Sequence, residues 1–337
     1  MTNNMFGIDL GTNNIKIYNR QTDEIMVQKN MIAIQNKKSL FAYGDSAYEM
    51  YEKAPGNITI SHPLSNGVIA DIQNMETLIQ YYIHDITKGA MTKPADFFVA
   101  VPTDITEVEK RAFYDLIKES KVKSRNILIV EKALADGLGL DIDVKNAQGV
   151  LVVNVGYDTT EISILSLGGI VLSRLIKNGG NKFDDSIRNA VRREMGLLIG
   201  SKTAEGVKIA LRDLEKEGKN AVVYGRDIVT GLPVERELPT DMMIDCLQDN
   251  FNSITDNVKV ILERTPPELA ADIYRHGIYL TGGASQVSVF ADVLNKGTGL
   301  KVNASEHPIE SVALGLSKII NDDNYKSLAY SIEGMGK

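Results

Sequence analysis

Apolar and polar residues follow the same order in two short segments of the chain. Residues 6–18 (FGIDLGTNNIKIY) and 151–165 (LVVNVGYDTTEISIL) each begin with an apolar run, continue through a polar turn that contains glycine, and end in a run rich in β-branched residues. This pattern predicts two β-hairpins. Because both hairpins share one plan, we hypothesise that the chain contains an internal duplication.

Strand and helix patterns alternate along the rest of the chain. Helical periodicity of apolar residues is found at 72–86, 104–120, 183–196, 203–217 and 240–263, and two further helices are predicted after 283. The helix at 104–120 is expected to be capped near Thr103 or Asp104. Buried strands are predicted at 96–102, 126–130, 168–176 and 277–283. The alternation predicts an α/β protein, most simply two related α/β domains that face a cleft.

Composition and charge narrow the class of protein. The chain has 337 residues and a net charge of −7, and it contains no long basic run that could neutralise a nucleic-acid backbone, so nucleic acid is not expected as a partner. A single cysteine, Cys246, excludes an internal disulfide framework. The N-terminus has no signal-peptide pattern, and no segment is apolar enough to span a membrane. We therefore expect a cytoplasmic protein.

The first predicted turn, DLGTNN (9–14), has the residues of an anion-binding site. Backbone N–H groups in such a turn can form a nest around a phosphate, and the hydroxyl of Thr12 can donate a further hydrogen bond. Asp9 could hold a water molecule of a phosphate-bound Mg²⁺, because Mg²⁺ keeps much of its hydration shell. The alternative is an ordinary hairpin turn without a ligand.

Three other features favour a nucleotide ligand. Gly282 and Gly283 follow a buried strand and would allow a base or ribose to lie against the backbone. Glu205 and Lys208 are three residues apart on one helical face and could bind a nucleoside, although a solvated ion pair is the alternative. Glu131 ends an apolar strand, at the edge where α/β proteins place ligands, and its alternative role is to begin a helix.

The order of these motifs resembles the MreB family of bacterial actin homologues, which belongs to the superfamily of actin, Hsp70 and the sugar kinases. The resemblance covers nearly the whole chain. It rests on the segments DLGT (9–12), HPLSNGVIAD (62–71), VAVPTDITEVEKRA (99–112), SLGGIV (166–171), NGGNKFDDSI (178–187), LLIGSKTAE (197–205), GRDIVTGLP (225–233) and LTGGAS (280–285).

The resemblance implies an actin-like ATPase fold with two related α/β domains around a nucleotide cleft, each with a small inserted subdomain. Domain I would cover 1–145, with an insert at about 33–65 and the C-terminal helices 310–337 returning to it. Domain II would cover 146–309, with an insert at about 182–240.

The resemblance also implies roles for particular residues. Glu131 and Thr159 would position the water that attacks ATP, and Asp9 would hold a water of the Mg²⁺. Asp158 is not part of the family pattern; we expect it to contact Mg²⁺ through a bound water, in place of the carboxylate lost at Asn154. The other nucleotide contacts would be Gly11, Thr12, Asn13, Asn14, Lys16, Asn154, Gly156, Tyr157, Gly179, Gly180, Glu205, Lys208, Gly282 and Gly283. The protein itself, as a filament, would be the main partner. MreB paralogues, the cell-wall elongation machinery and the inner face of the membrane would be further ones.

The chain departs from the family pattern in its second turn. Where the family has Asp-Ile-Gly-Gly-Gly-Thr, residues 154–159 read Asn-Val-Gly-Tyr-Asp-Thr. If this turn required positive φ, Tyr157 or Asp158 would add strain of about 1–3 kcal/mol. Lys132 replaces the proline that usually follows the water-activating glutamate, and Lys16 matches a phosphate-binding lysine of actin itself.

Three functions are compatible with these residues. The first is a filament-forming cytoskeletal protein that binds and slowly hydrolyses ATP. The second is a degenerate MreB paralogue that binds nucleotide and assembles but hydrolyses it poorly or not at all. The third is a phosphotransferase of the sugar-kinase type, although no sugar pocket is evident. Membrane contact is expected to be weak, because the loop 88–96 offers only Met91 as an apolar tip.

Overall fold

The structure, a computed structural model, describes residues 4–89, 91, 93–287 and 289–333. Its strands are Met5–Leu10 (β1), Asn14–Asn19 (β2), Glu24–Lys29 (β3), Ile32–Gln35 (β4), Ser39–Tyr43 (β5), Ile58–Ser61 (β6), Leu64–Ser65 (β7), Val68–Ile69 (β8), Ala95–Val101 (β9), Ser124–Glu131 (β10), Val150–Val155 (β11), Thr160–Ser166 (β12), Gly169–Ile176 (β13), Leu197–Leu198 (β14), Ala221–Asp227 (β15), Pro233–Leu238 (β16), Ile278–Thr281 (β17), Val302–Ala304 (β18) and Ala329–Tyr330 (β19).

The α-helices are Gly44–Met50 (α1), Ile72–Ile86 (α2), Glu107–Glu119 (α3), Lys132–Gly139 (α4), Gly180–Met195 (α5), Ser201–Glu217 (α6), Thr240–Glu263 (α7), Pro267–His276 (α8), Phe290–Thr298 (α9) and Ser311–Asn321 (α10). Short 3₁₀ helices lie at Gly283–Gln286 and Asp323–Leu328. The mixture of sheets and helices confirms the predicted α/β class.

The chain forms two compact units. Unit 1 comprises 1–152, 163–175 and 309–337, and unit 2 comprises 153–162 and 176–308. The predicted domain bounds differ from these units, because they assign 146–152 and 163–175 to domain II. The division into domain I at 1–145 and domain II at 146–309 stays a prediction.

Unit 1 is built on a six-stranded sheet in the order β19-β10-β9-β1-β2-β3. Strands β1, β9 and β10 are parallel neighbours, and β1 and β2 form the predicted first hairpin. Every residue of β9 is buried, as expected for a central strand covered on both faces. The register pairs Asp9 with Ala100, Ala100 with Val130, and Val101 with Glu131, so Asp9 and Glu131 lie at the same end of the sheet.

The helix α3 begins three residues later than the earliest predicted position. Its N-cap is Thr106, whose hydroxyl accepts a hydrogen bond from the backbone N–H of Glu109 at 3.2 Å. The Glu109 carboxylate in turn accepts from the Thr106 backbone N–H at 2.8 Å, which completes a capping box. The prediction of a cap near Thr103 or Asp104 was therefore wrong, because the reciprocal pair at Thr106 satisfies two N–H groups at once.

Unit 2 contains the adjoining ends of β11 and β12, followed in the sheet by β17 and β18. The helices α5 to α9 belong to this unit. The polar segment between α6 and α7 folds as the antiparallel pair β15–β16, and β14 extends it to a three-stranded sheet. In the described part of the chain, no helix is both long and apolar enough to cross a membrane.

Candidate functional site

The two hairpin turns have the same internal hydrogen bond. In unit 1 the N–H of Gly11 donates to the carbonyl of Asn14 at 3.1 Å, and in unit 2 the N–H of Gly156 donates to the carbonyl of Thr159 at 2.8 Å. A Cβ added at Gly11 would lie 2.6 Å from the carbonyl oxygen of Asn14. A Cβ added at Gly156 would lie 3.0 Å from the carbonyl oxygen of Thr159. The first turn therefore needs glycine for space and the second leaves little room for a side chain, and their shared hydrogen bond supports the hypothesis of a duplication.

The second turn carries less backbone strain than the sequence suggested. Neither Tyr157 nor Asp158 has a positive φ, and the same holds for Gly156. The expectation that these two side chains strain the turn was conditional on positive φ and is wrong for this structure. The turn closes through right-handed or extended backbone, which any residue can adopt.

Asn30 orients the first turn. This buried side chain donates from Nδ2 to the carbonyl of Gly11 at 2.9 Å, and its backbone N–H donates to the carbonyl of Asn13 at 2.8 Å. In a trans peptide the N–H points opposite to the carbonyl, so the N–H of Thr12 points away from Asn30. An N–H directed in this way can donate to an anion at the turn.

Asp9 lies between two ammonium groups. Its Oδ2 is 3.0 Å from Lys16 Nζ, and its Oδ1 is 3.5 Å from Lys132 Nζ. Asp9 is 1% exposed. Burial raises the pKa of its carboxyl group, but attraction to Lys132 and Lys16 outweighs this effect and holds the pKa below its ordinary value. Asp9 is therefore a charged carboxylate whose charge is balanced from within the protein.

The carboxylate of Glu131 is held at one oxygen. Its Oε1 accepts hydrogen bonds from Lys110 Nζ at 3.0 Å and from the Tyr330 hydroxyl at 2.7 Å. Burial and the hydrogen bond to Glu131 raise the pKa of Tyr330 to about 12, so the tyrosine stays a donor. Glu131 Oε2 is buried and has no hydrogen-bond partner among the described residues. The arrangement leaves one fixed carboxylate oxygen that can accept a hydrogen bond from a water molecule.

The second turn is joined to the start of α5. The N–H of Gly180 donates to the carbonyl of Gly156 at 3.0 Å, and the N–H of Asn181 donates to the carbonyl of Tyr157 at 2.7 Å. By the same trans-peptide argument, the N–H groups of Tyr157 and Asp158 point to the opposite side. Gly179 packs closely here, since a Cβ would lie 2.7 Å from the carbonyl oxygens of Gly156 and Tyr157.

Lys208, predicted to contact a nucleoside, is a buried residue with polar partners inside unit 2. Its Nζ lies 2.8 Å from Asp184 Oδ1 and donates to the carbonyl of Gly180 at 3.0 Å. It also lies 5.9 Å from the centre of the Tyr157 ring. Burial raises the pKa of Asp184 to about 6, against the opposing attraction of Lys208. The alternative of a solvated Glu205–Lys208 pair is therefore wrong for Lys208.

The glycines after β17 also lie beside the second turn. Gly282 has a φ of +89°, and a Cβ there would lie 2.3 Å from the carbonyl oxygen of Val155. Its N–H donates to the carbonyl of Pro308 at 2.9 Å. Gly283 begins the 3₁₀ helix that follows. The next residue, Ala284, packs near Gly180, since a Cβ added at Gly180 would lie 3.3 Å from the Ala284 Cβ. The conformation of Gly282 favours glycine even without a ligand.

The residues fit a magnesium ion poorly. In the part of the chain that the structure describes, no group of three or more His, Cys, Asp or Glu side chains could hold a metal ion. Asp9 is paired with ammonium groups, Asp158 Oδ1 accepts a hydrogen bond from Asn181 Nδ2 at 3.2 Å, and position 154 is Asn154. Mg²⁺ prefers carboxylates and waters as ligands.

Each unit brings together its own predicted residues. Unit 1 gathers Asp9, Gly11, Thr12, Asn13, Asn14 and Lys16 at its first turn, with Glu131 at the same sheet end. Unit 2 gathers Gly156, Tyr157, Asp158, Thr159, Gly179, Gly180, Lys208, Gly282 and Gly283. Asn154 is the second-last residue of the strand before the turn, and Glu205 lies one helical turn before Lys208. The sequence did not reveal Lys110, Tyr330, Asn30 or Asp184, whose partners lie far away along the chain.

Comparisons with known proteins show the family and the fold of this chain. The family model described as MreB/Mbl protein matches residues 3–327. The cell shape-determining protein Mbl of Bacillus subtilis is 34% identical over 322 residues, which cover 94% of this chain and 95% of that protein. The crystal structure of MreB5 of Spiroplasma citri bound to AMPPNP has a TM-score of 0.88 at 34% identity and covers 97% of this chain and 98% of its own. The double helical filament of MamK, with a TM-score of 0.76 at 19% identity over 95% of this chain and 99% of its own, shares the fold.

Proposed function

Because the chain belongs to the MreB/Mbl family of cell shape-determining proteins, we propose that it is an actin-like cytoskeletal protein that binds ATP, polymerises into filaments and hydrolyses the ATP slowly. Its filaments would organise cell shape and cell-wall synthesis in the cytoplasm, at the inner face of the membrane. MreB paralogues and the elongation machinery are its proposed partners besides itself.

The two related turns support nucleotide binding. In the first turn a carbonyl accepts a hydrogen bond from Asn30, and in the second turn two carbonyls accept from the start of α5. The N–H groups of the same peptides point to the opposite side, as a phosphate-binding nest requires. The structural relative MreB5 is bound to AMPPNP in one structure. We propose phosphate contacts for the residues of each turn within its own unit, and nucleoside contacts for Glu205, Lys208, Gly282 and Gly283. Magnesium held through waters on Asp9 and Asp158 stays a prediction that the ion pairs of Asp9 do not favour, and the proposal contains no step through magnesium.

The held carboxylate of Glu131 is the observation that carries the proposal of hydrolysis. Lys110 and Tyr330 fix Oε1 from two directions, so the buried Oε2 has a defined position. A carboxylate oxygen fixed in this way can orient a water molecule and accept its proton as the water attacks the terminal phosphate. In the second turn, Thr159 is proposed as a further water-positioning residue.

Self-association follows from a head-to-tail contact. A heterologous contact of this kind generates an open filament when its rotation does not close into a ring, and we propose that it does not close here. The MamK structure of the same fold is itself a double helical filament. We infer that filaments of this chain grow by the same principle.

A second candidate is a paralogue that assembles without hydrolysis. The observation that favours it is the side chain of Tyr157, which stands where the family has glycine and lies near Lys208 in the nucleoside region. This candidate retains nucleotide binding and differs only in turnover.

Two solution measurements test the proposal and separate the candidates. Competition against a fluorescent ADP analogue reports nucleotide binding, and phosphate release from ATP reports hydrolysis. Binding with slow phosphate release supports the first candidate, and binding without release supports the second. A protein that binds no adenine nucleotide at all would overturn both.

A further inference from the structure

Three lysine side chains meet at the first hairpin turn, where the sequence analysis assigned only Lys16. The Nζ atoms of Lys16 and Lys132 lie 3.0 and 3.5 Å from the two oxygens of Asp9. Lys29 Nζ donates to Asn13 Oδ1 at 3.2 Å. Two ammonium groups, those of Lys16 and Lys132, therefore face the single carboxylate of Asp9.

Asp9 is poorly placed to serve a metal ion. Its carboxylate is buried, and each of its oxygens already faces an ammonium group. A hydrated Mg²⁺ at either oxygen would have to displace a lysine from a buried ion pair, which costs more than displacing water from an exposed carboxylate. The carboxylate is instead suited to hold the two ammonium groups in place at the turn.

We propose that Lys132, together with Lys16, supplies the positive charge that the nucleotide phosphates require, so that nucleotide binding by this protein depends only weakly on magnesium. The inference rests on the proposed function, since it concerns the same nucleotide. A lysine ammonium is a compact charge that binds phosphate oxygens without a metal ion. Asp9 acts as a positioning residue for both lysines.

The position of Lys132 allows a sharp test, because it is the first residue of α4. The preceding residue, Glu131, has φ −64° and ψ 124°, which is the extended conformation that a following proline favours. Proline is also well tolerated at the first position of a helix. The substitution Lys132→Pro should therefore remove the ammonium group while the backbone stays intact, and Lys132→Gln removes the charge with a similar side-chain length.

The experiment measures the affinity for ADP, by competition against a fluorescent ADP analogue, with magnesium and with excess EDTA. It compares the wild type with Lys132→Gln, Lys132→Pro and the charge-conserving Lys132→Arg. The exposed Lys118 on α3 provides a matched control, Lys118→Gln. Thermal unfolding of each variant reports whether it is folded.

We expect the wild type to bind ADP with EDTA within about tenfold of its affinity with magnesium, since lysines bind phosphate as point charges. In EDTA, both Lys132→Gln and Lys132→Pro should bind ADP about 10- to 100-fold more weakly than the wild type, which corresponds to one lost hydrogen bond to a charged group. With magnesium, their loss of ADP affinity should be smaller. Lys132→Arg and Lys118→Gln should retain most of the binding in EDTA.

Two results would overturn this inference and leave the proposed function intact. The first is wild-type ADP binding that requires magnesium. The second is that Lys132→Gln and Lys132→Pro are folded but lose no more ADP affinity in EDTA than with magnesium. Absence of ADP binding by the wild type in both conditions would instead overturn the proposed function. The wild-type measurement thus separates the two failures, and it needs no variant to fold.

Discussion

The hydroxyl of Tyr330 donates a hydrogen bond of 2.7 Å to Oε1 of Glu131, a residue 199 positions earlier in the chain. The short strand β19 makes this contact possible, because it pairs with β10 and places Tyr330 opposite Ile129. The C-terminal segment of unit 1 therefore helps to position the carboxylate that we assign to water activation.

Removing this hydroxyl should slow hydrolysis without preventing nucleotide binding. In Tyr330→Phe the ring remains, but Glu131 Oε1 keeps only Lys110 as a donor. We expect phosphate release to fall about tenfold, the equivalent of a hydrogen bond to a charged group worth about 1.5 kcal/mol. The exposed Tyr274 offers the control Tyr274→Phe, which should leave the rate unchanged. Equal rates for the wild type and Tyr330→Phe would remove Tyr330 from the account.

The substitution Glu131→Ala should nearly abolish hydrolysis. A general base or water-orienting group typically contributes about 10²–10⁴-fold to a rate, so phosphate release should fall by that factor. Nucleotide affinity and filament formation should survive, because the turns that we assign to the phosphates are unchanged. If Glu131→Ala turned over ATP at the wild-type rate, the non-hydrolysing paralogue with contaminating activity would become the better account.

The buried pair of Lys208 and Asp184 predicts a pH-dependent loss of stability. Burial raises the pKa of Asp184 to about 6, above the ordinary value of 3.8, so the folded state binds the proton more tightly than the unfolded state. The stability from this proton is therefore present below pH 3.8 and is lost as the pH rises through about 6.

Replacing the lysine should sharpen this dependence. In Lys208→Met the charged carboxylate loses its buried partner, and we expect the free energy of unfolding to fall by about 3 kcal/mol near pH 8. The loss should be smaller at pH 5, where Asp184 is largely protonated. Urea unfolding of the wild type and the variant at both pH values measures the difference, and a loss independent of pH would contradict the assignment.

Membrane binding should be weak and should require filaments. Met91, the apolar residue of the loop 88–96, is partly buried and packs against the core of unit 1, while its neighbours Ala90 and Thr92 lie outside the described residues. Weak contacts gain avidity when a polymer links many of them. In flotation with anionic liposomes, filaments should rise with the lipid more than monomers do. Equal flotation of both forms would contradict this prediction.

The regular elements were predictable where one pattern ran without interruption. The helices at Ile72–Ile86 and Thr240–Glu263 match their predicted bounds, because apolar residues recur every three to four positions throughout both. The start of α3 was misplaced, although Thr106 and Glu109 have the spacing of a capping box that could have identified it. The pair β15–β16 was not predicted, since its many polar residues on exposed strands do not form an apolar stripe.

The candidate site was predictable only where its residues are local in the sequence. Both turns could be found from their shared pattern, because each is a contiguous hairpin. The partners of Glu131 could not be found, since Lys110 and Tyr330 reach it from α3 and β19 through the fold. Lys132 was visible as a departure from the family, but its contact with Asp9 depends on the register of the parallel sheet.

Assembly in solution tests the central claim most directly. Light scattering of the purified protein, with electron microscopy of the same samples, should be recorded with ATP, with ADP and without nucleotide over a range of protein concentrations. We predict filaments with ATP above a threshold concentration and fewer or none without nucleotide. A protein that stays monomeric at every concentration and in every nucleotide state would contradict the assignment of a filament-forming cytoskeletal protein.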